Sequence, residues 1–249
     1  MSTASPTAAV IRTESRLFTR ELGSVFWIVL FPTILVVILG SVPSMNEPDP
    51  NLGGQRLVDV YSSVAVLLSI IMASLMAMPA VIAGYREAGI LRRLRTTPVH
   101  PGSLLLAQAG LHALAVLVSL VLVLVVGRVA YDVRLPQDIG WYAVVVLLAT
   151  AAAFSIGAVI TALAPSARMV QTIGTIVFFP SMFAAGVYFP VQAMQGWLHT
   201  VVVSTPMGAA TEALNDAVVG RTPDLVDLAV MAGWTVVLSL VAVRSFRWE

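Results

Sequence analysis

The stretch Arg86–Pro101 (REAGILRRLRTTPVHP) gathers Glu87 with Arg86, Arg92, Arg93, Arg95 and His100 in a chain otherwise sparing with charge. Drawn as a helix from Arg86, it sets Ile90, Leu91 and Leu94 within an arc of about 100°, and the arginines fill the rest. Pro98 holds Thr97 out of helical conformation and ends the segment. Such a basic amphipathic helix makes and breaks no bonds. Two roles fit it: a loop whose arginines fix membrane topology, or a helix that presses against a soluble partner. Other candidates for chemistry are few. His100, His112 and His199 share no ligand spacing, so no metal site is expected. His112 reads as a packing residue that Gln108, one turn earlier, can partner. Neither Gly-x-Ser-x-Gly nor His-Glu-x-x-His occurs. The chain has no cysteine, which excludes disulfides, thiol nucleophiles and thiolate metal ligands. All 14 basic residues are arginine. Without lysine there is no Walker A loop and no Schiff base.

The elements that must hold this loop are apolar. Hydrophobic residues make up 58% of the 249 and charged residues 11%, where a soluble domain is about a quarter charged. No Asp, Glu, Lys or Arg interrupts the stretches between Glu21 and Glu47, Val60 and Tyr85, Thr96 and Gly127, Ile139 and Ala167, Met169 and Thr211, or Leu228 and Val243. A spanning helix needs about 20 apolar residues. The last run reaches about 24 Å at 1.5 Å per residue, enough if Arg244 snorkels. Segments such as Val116–Val126 do not alternate, which argues against a β-barrel. The expectation is an all-α polytopic membrane protein of one domain, residues 1–249, with six spans at about 23–43, 60–84, 103–127, 140–163, 169–189 and 225–243. The first run is too long for a cleaved signal peptide.

Arginines fix the orientation. Arg12, Arg16, Arg20, Arg86, Arg92, Arg93, Arg95, Arg168, Arg244 and Arg247 fall on the side of the termini; Arg56, Arg128, Arg134 and Arg221 fall on the other. Both termini are therefore expected in the cytoplasm. Residues 1–22 read as an interfacial helix with Arg12, Arg16 and Arg20 on one face. Residues 190–224 are too broken for another span and read as short external or re-entrant helices anchored by Trp197. Ala149, Ala153, Gly157 and Thr161 recur every four residues, a stripe for close helix packing. No acid is read inside a span, so no proton or sodium relay is expected.

The loop resembles the signature of type-2 ATP-binding cassette exporter permeases of the multidrug or antibiotic type: Glu87, Gly89, an apolar pair (Ile90, Leu91), basic residues, Leu94, then Thr97 and Pro98. Residues 178–198 (FFPSMFAAGVYFPVQAMQGWL) are similar to the family's aromatic fifth span and its outer turn, and 204–214 (STPMGAATEAL) to its following Asn-Pro segment. Thr205 stands where the family often has Asn, and Gly196 where it commonly has Pro. The resemblance implies a permease without its own motor. Two six-span subunits, identical or paralogous, would form the pathway, and two cytoplasmic ATPase subunits would bind ATP and Mg beneath them. Residues 86–98 would be the coupling helix, with Glu87, Arg92, Arg93 and Arg95 meeting the ATPase, and residues 1–22 the elbow helix. Met72 and Met76 of the second span, and Gln171, Thr175, Phe178, Phe179, Met182 and Phe183 of the fifth, would by this resemblance help line the pathway or the contact between subunits; read as residues alone, they equally fit plain helix–helix or lipid-facing packing.

The resulting expectation is an exporter subunit, not itself an enzyme. It would sit in a bacterial plasma membrane, hold no cofactor, bind no nucleic acid, and move an amphipathic drug-like or lipid-like compound outward. The rivals are an ion-coupled transporter, which calls for intramembrane carboxylates or inverted repeats, and an intramembrane enzyme, which calls for a catalytic pair.

Overall fold

The computed structural model describes residues 6–94 and 101–245. The described chain is almost wholly helical. In order, its helices are α1 (Pro6–Phe18), α2 (Leu22–Gly40), α3 (Leu57–Glu87), α4 (Ile90–Leu94), α5 (Pro101–Tyr131), α6 (Ile139–Leu163), α7 (Ala167–Ala184), α8 (Gly196–Val203), α9 (Pro206–Val218) and α10 (Leu225–Ser245). Five of them, α2, α3, α5, α6 and α10, are long and apolar enough to cross a membrane. The sixth expected crossing is α7, whose 18 residues include Arg168, Gln171, Thr172 and Thr175. It also stops short of Phe189, because Gly186 takes φ +81° and turns the chain.

α3 is the axis of the bundle. In its most apolar stretch 72% of residues are buried, against 11–39% in the other four long helices. It packs against α2, α5, α6, α7 and α9. Val64–Leu68 and Ile70–Ile71 are sealed from the surroundings. α10 lies outside, mostly against α6 and α9.

Two prolines shape the middle of the bundle. Pro32 and Pro79 each follow a short stretch of wider, π-type turn, Phe26–Leu30 in α2 and Met72–Ala77 in α3. Proline has no N–H, and its ring crowds the carbonyl four residues back, so the helix widens to relieve the clash. The carbonyl of Ile28, four residues before Pro32, instead accepts Ser69 Oγ of α3 at 2.8 Å. In α3 the widened turn brings the carbonyls of Ser74 and Leu75 against two glycines. A Cβ on Gly157 of α6 would lie 2.1 Å from Ser74 O, and one on Gly174 of α7 would lie 2.9 Å from Leu75 O. Only hydrogen fits there. Ala149, Ala153 and Thr161 are buried on the same α6 stripe, as the four-residue repeat predicts.

The end of the bundle that carries Asp59 is stitched by side chains. A two-residue antiparallel ladder (Pro48↔Arg56, Asp49↔Gln55) closes the α2–α3 loop. Arg56 grips Asp59 through Nε (2.9 Å) and Nη2 (2.7 Å), and it donates to the carbonyls of Tyr131 and Asp132 beyond α5. Asp59 also accepts the Arg134 N–H at 2.9 Å. Asp59, which the sequence reading places in the loop just before the second span, is thus a buried acid in the first turn of a long helix. Its charge is met by arginine and a backbone N–H rather than by an ion path.

Of the two readings of residues 190–224, external or re-entrant, α9 follows the second. Met207, Ala209, Ala210, Ala213, Leu214 and Ala217 are buried, and the helix packs into the bundle against α3 and α6. Its alanines let it approach closely, and Thr205 caps its first turn by accepting the Gly208 N–H at 3.2 Å. The Thr205-for-Asn departure therefore keeps the capping chemistry. Trp197 on α8 is exposed, as an anchor requires.

Replacing Gly157 with Ala is expected to cost about 1–3 kcal/mol through overpacking against Ser74 O and to lower the unfolding midpoint in micelles. Gly233→Ala, where nothing lies within 4 Å of the added atom, should be neutral or slightly stabilising. Equal midpoints for the two variants would contradict the close contact.

Candidate functional site

The described residues of the loop that the sequence singled out lie at the other end of the bundle, where α3 ends. Gly89, at φ +69°, supplies the left-handed turn that stops α3, and Gly89 N–H returns to Arg86 O at 3.0 Å. The sequence drew one helix from Arg86 onward. The structure instead places Arg86 and Glu87 in the last turn of α3 and starts α4 at Ile90. On α4, Leu91 is buried, Ile90 half-buried and Arg93 exposed, so its apolar side faces the bundle. Arg95, Thr97 and Pro98 lie outside the described residues, as do the side chains of Arg92 and Leu94.

Arg86 and Glu87 act on two different helices. Arg86 donates from Nη1 to Ala164 O (2.7 Å) and from Nη2 to Thr161 O (3.1 Å), capping the C-terminal carbonyls of α6. Glu87 Oε1 accepts the Ala167 N–H at 2.7 Å, capping the N-terminus of α7. Ser166 Oγ adds a second cap at Met169 N–H. Each charge suits its helix end: a cation at the carbonyl terminus and an anion at the amide terminus. One dipeptide thereby holds both sides of the α6–α7 connection, where Pro165 keeps the two helices from merging.

Next to this clamp lies a contact that the sequence reading missed. Glu14 of α1 is only 7% exposed. Its Oε2 accepts Tyr85 Oη at 2.6 Å and Gln108 Nε2 at 2.5 Å, tying α1 to α3 and α5. Gln108 is spent on Glu14, so His112 takes the Gln108 backbone carbonyl at 2.8 Å instead of the side chain. Phe18 stacks edge-on against the His112 ring at 5.1 Å. A signal for Glu14 existed. It sits two residues from both Arg12 and Arg16, about 200° around the helix and so away from the arginine stripe.

The residues expected along a pathway fall on both sides of α7. Phe178 is 8% exposed and belongs to the core, whereas Phe179 is 55% exposed; their rings meet edge to face at 5.5 Å. Gln171 is exposed, and Thr175, Met182, Phe183, Met72 and Met76 are half-buried. The structure brings Met76 and Gln171 together on the wall of a cavity of about 340 Å³ between α3 and α7, which Arg168 and Ala167 also line. Ala167 is the residue whose N–H Glu87 holds. Thr172 and Thr175 turn their hydroxyls back onto the carbonyls of Arg168 and Gln171.

At the opposite end, His199 Nε2 lies 3.4 Å from Glu212 Oε1. Burial raises the Glu212 pKa, and the His199 contact partly offsets that rise. Among the described residues, no three His, Asp or Glu side chains group as metal ligands.

Residues 7–218 match the ABC-2 type transporter family. The match starts in α1, runs through the clamp and α7, and closes at the end of α9. No individual curated protein matches the chain. With most of its length matched, the chain belongs to the ABC-2 type transporter family, as the non-catalytic membrane component of an ABC transporter.

Proposed function

We propose that this permease exports an amphipathic drug-like or lipid-like compound from a bacterial cytoplasm, driven by a separate ATPase that carries the ATP and Mg and docks on residues 86–98. The observation that carries this reading is the clamp: Glu87 holds the first amide of α7. A push on α4 is thereby delivered to α7 at a capped, rigid end rather than dissipated in a loop. In this reading both termini are cytoplasmic, and α7 is the fifth of six spans. The exposed Gln171 would be costly against lipid, which supports a second copy or a paralogous permease across that face, the pathway between the two, and two ATPases below. In this reading Arg93, exposed on α4, would meet acidic side chains of the ATPase.

Glu87→Gln retains the shape of the cap and removes its charge. Losing the charge at a helix N-terminus is worth up to about 1 kcal/mol, so the permease should stay folded while transport per ATP hydrolysed drops by about fivefold in proteoliposomes with the ATPase. Leu91→Pro, which breaks α4, should do the same or worse. Unchanged transport per ATP in both variants would refute docking at this loop.

Gln171→Trp fills the cavity beside Met76. It is expected to abolish transport and substrate-stimulated ATP hydrolysis while leaving basal hydrolysis near wild type. If stimulation persists, the cavity is not part of the pathway.

A further inference from the structure

Two cavities follow one another along the seam of α3, α6 and α10 at the Glu87 end of the bundle, the first walled by α5 as well. The first is an apolar cleft of about 390 Å³ whose walls include Ile82, Leu105, Phe154, Ala158, Ala242 and Val243. Leu106 and Val243 at its rim are exposed, so it opens sideways towards the bilayer. The second, of about 600 Å³, is lined by Arg86, Ala162–Pro165, Arg244 and Ser245. The walls follow one another on all three helices: Ile82 precedes Arg86 by one turn, Thr161 precedes Ala162, and Val243 precedes Arg244. An apolar slot thus leads directly into a basic recess at the helix ends.

Charge selects the occupant. Arg244 is exposed in the last turn of α10. The carbonyl end of α6 would repel an anion on its own, but the Arg86 guanidinium lies on the Ala164 and Thr161 carbonyls and reverses the sign of that wall. Among the described residues, no acid lines either cavity, and Glu87 is turned to Ala167 N–H. Close-packed protein leaves few empty voids, and a slot open to hydrocarbon admits acyl chain rather than water. Basic pockets between spanning helices at the membrane surface suit anionic headgroups.

We propose that this seam binds one anionic phospholipid, with an acyl chain in the cleft beside Ala158 and the phosphate in the recess beside Arg244. The site lies on the α10 side of the bundle, away from the α3–α7 cavity assigned above to transport, and it does not depend on that assignment.

The test is native mass spectrometry of the purified full chain mixed with equal amounts of phosphatidylglycerol and phosphatidylcholine bearing identical acyl chains. The wild type should retain one phosphatidylglycerol in about fivefold preference, the factor that one basic residue is worth at a membrane surface. Arg244→Gln, an exposed change, should bring the two lipids to parity. Ala158→Phe should cut retention of both while leaving the unfolding midpoint in place. Soluble glycerol phosphate should not displace the lipid. Equal retention of both lipids by the wild type, an undiminished preference in Arg244→Gln, or full displacement by glycerol phosphate would overturn the site.

Discussion

Everything at the Glu87 end of this bundle depends on how two helix termini are satisfied. A helix leaves carbonyls bare at one end and amides bare at the other, and at a membrane surface these groups need partners. Here the partners are adjacent residues of a third helix. Arg86 takes the carbonyl end of α6, and Glu87 takes the amide end of α7. The bonds are charge-assisted and short, which makes them stronger than neutral ones. They also join three helices at the point where the chain leaves α3 for α4. Glu14 extends the joint to α1 and α5. Five helices therefore meet through a few side chains next to the loop proposed above to meet the ATPase.

The two ends of the bundle are built for different purposes. The Asp59 end is locked by a buried ion pair supported by several backbone groups, and α9 wedges beneath it on a surface of alanines. Between the ends, the π-type turn of α3 trades helix regularity for two close contacts, Ser74 O on Gly157 and Leu75 O on Gly174. These contacts hold α3, α6 and α7 at backbone distance. A displacement of α7 from its capped end therefore has α3 as its nearest support.

Some of this was legible in the residues and some was not, for physical reasons. Charge-free runs reported the long helices because lipid penalises each charge separately, so composition alone carries the signal. The four-residue stripe ending in Gly157 and Thr161 was visible because close helix approach needs small residues at fixed spacing. Gly89 could be read as part of a motif, but the helix break it makes moved Arg86 and Glu87 from the coupling segment into α3. Glu14 was not read as buried because its partners, Tyr85 and Gln108, lie far along the chain, and Asp59 was not because its neighbour Arg56 is held in place by Tyr131 and Asp132, with Arg134 beside them. Whether α9 is external or re-entrant was not legible, because Pro206, Glu212 and Asp216 dilute its apolarity, while its alanines, which pack it into the bundle, carry little hydrophobic signal of their own.

The central claim is that the end of α3 and the start of α7 move as one body. The chain has no cysteine, so spin labels at Ala88→Cys and Met169→Cys report on that joint without background. With the ATPase partner bound, the distance between the labels should be the same in the nucleotide-free and the ATP-trapped transporter. A clear separation of the two labels on ATP binding would contradict the account.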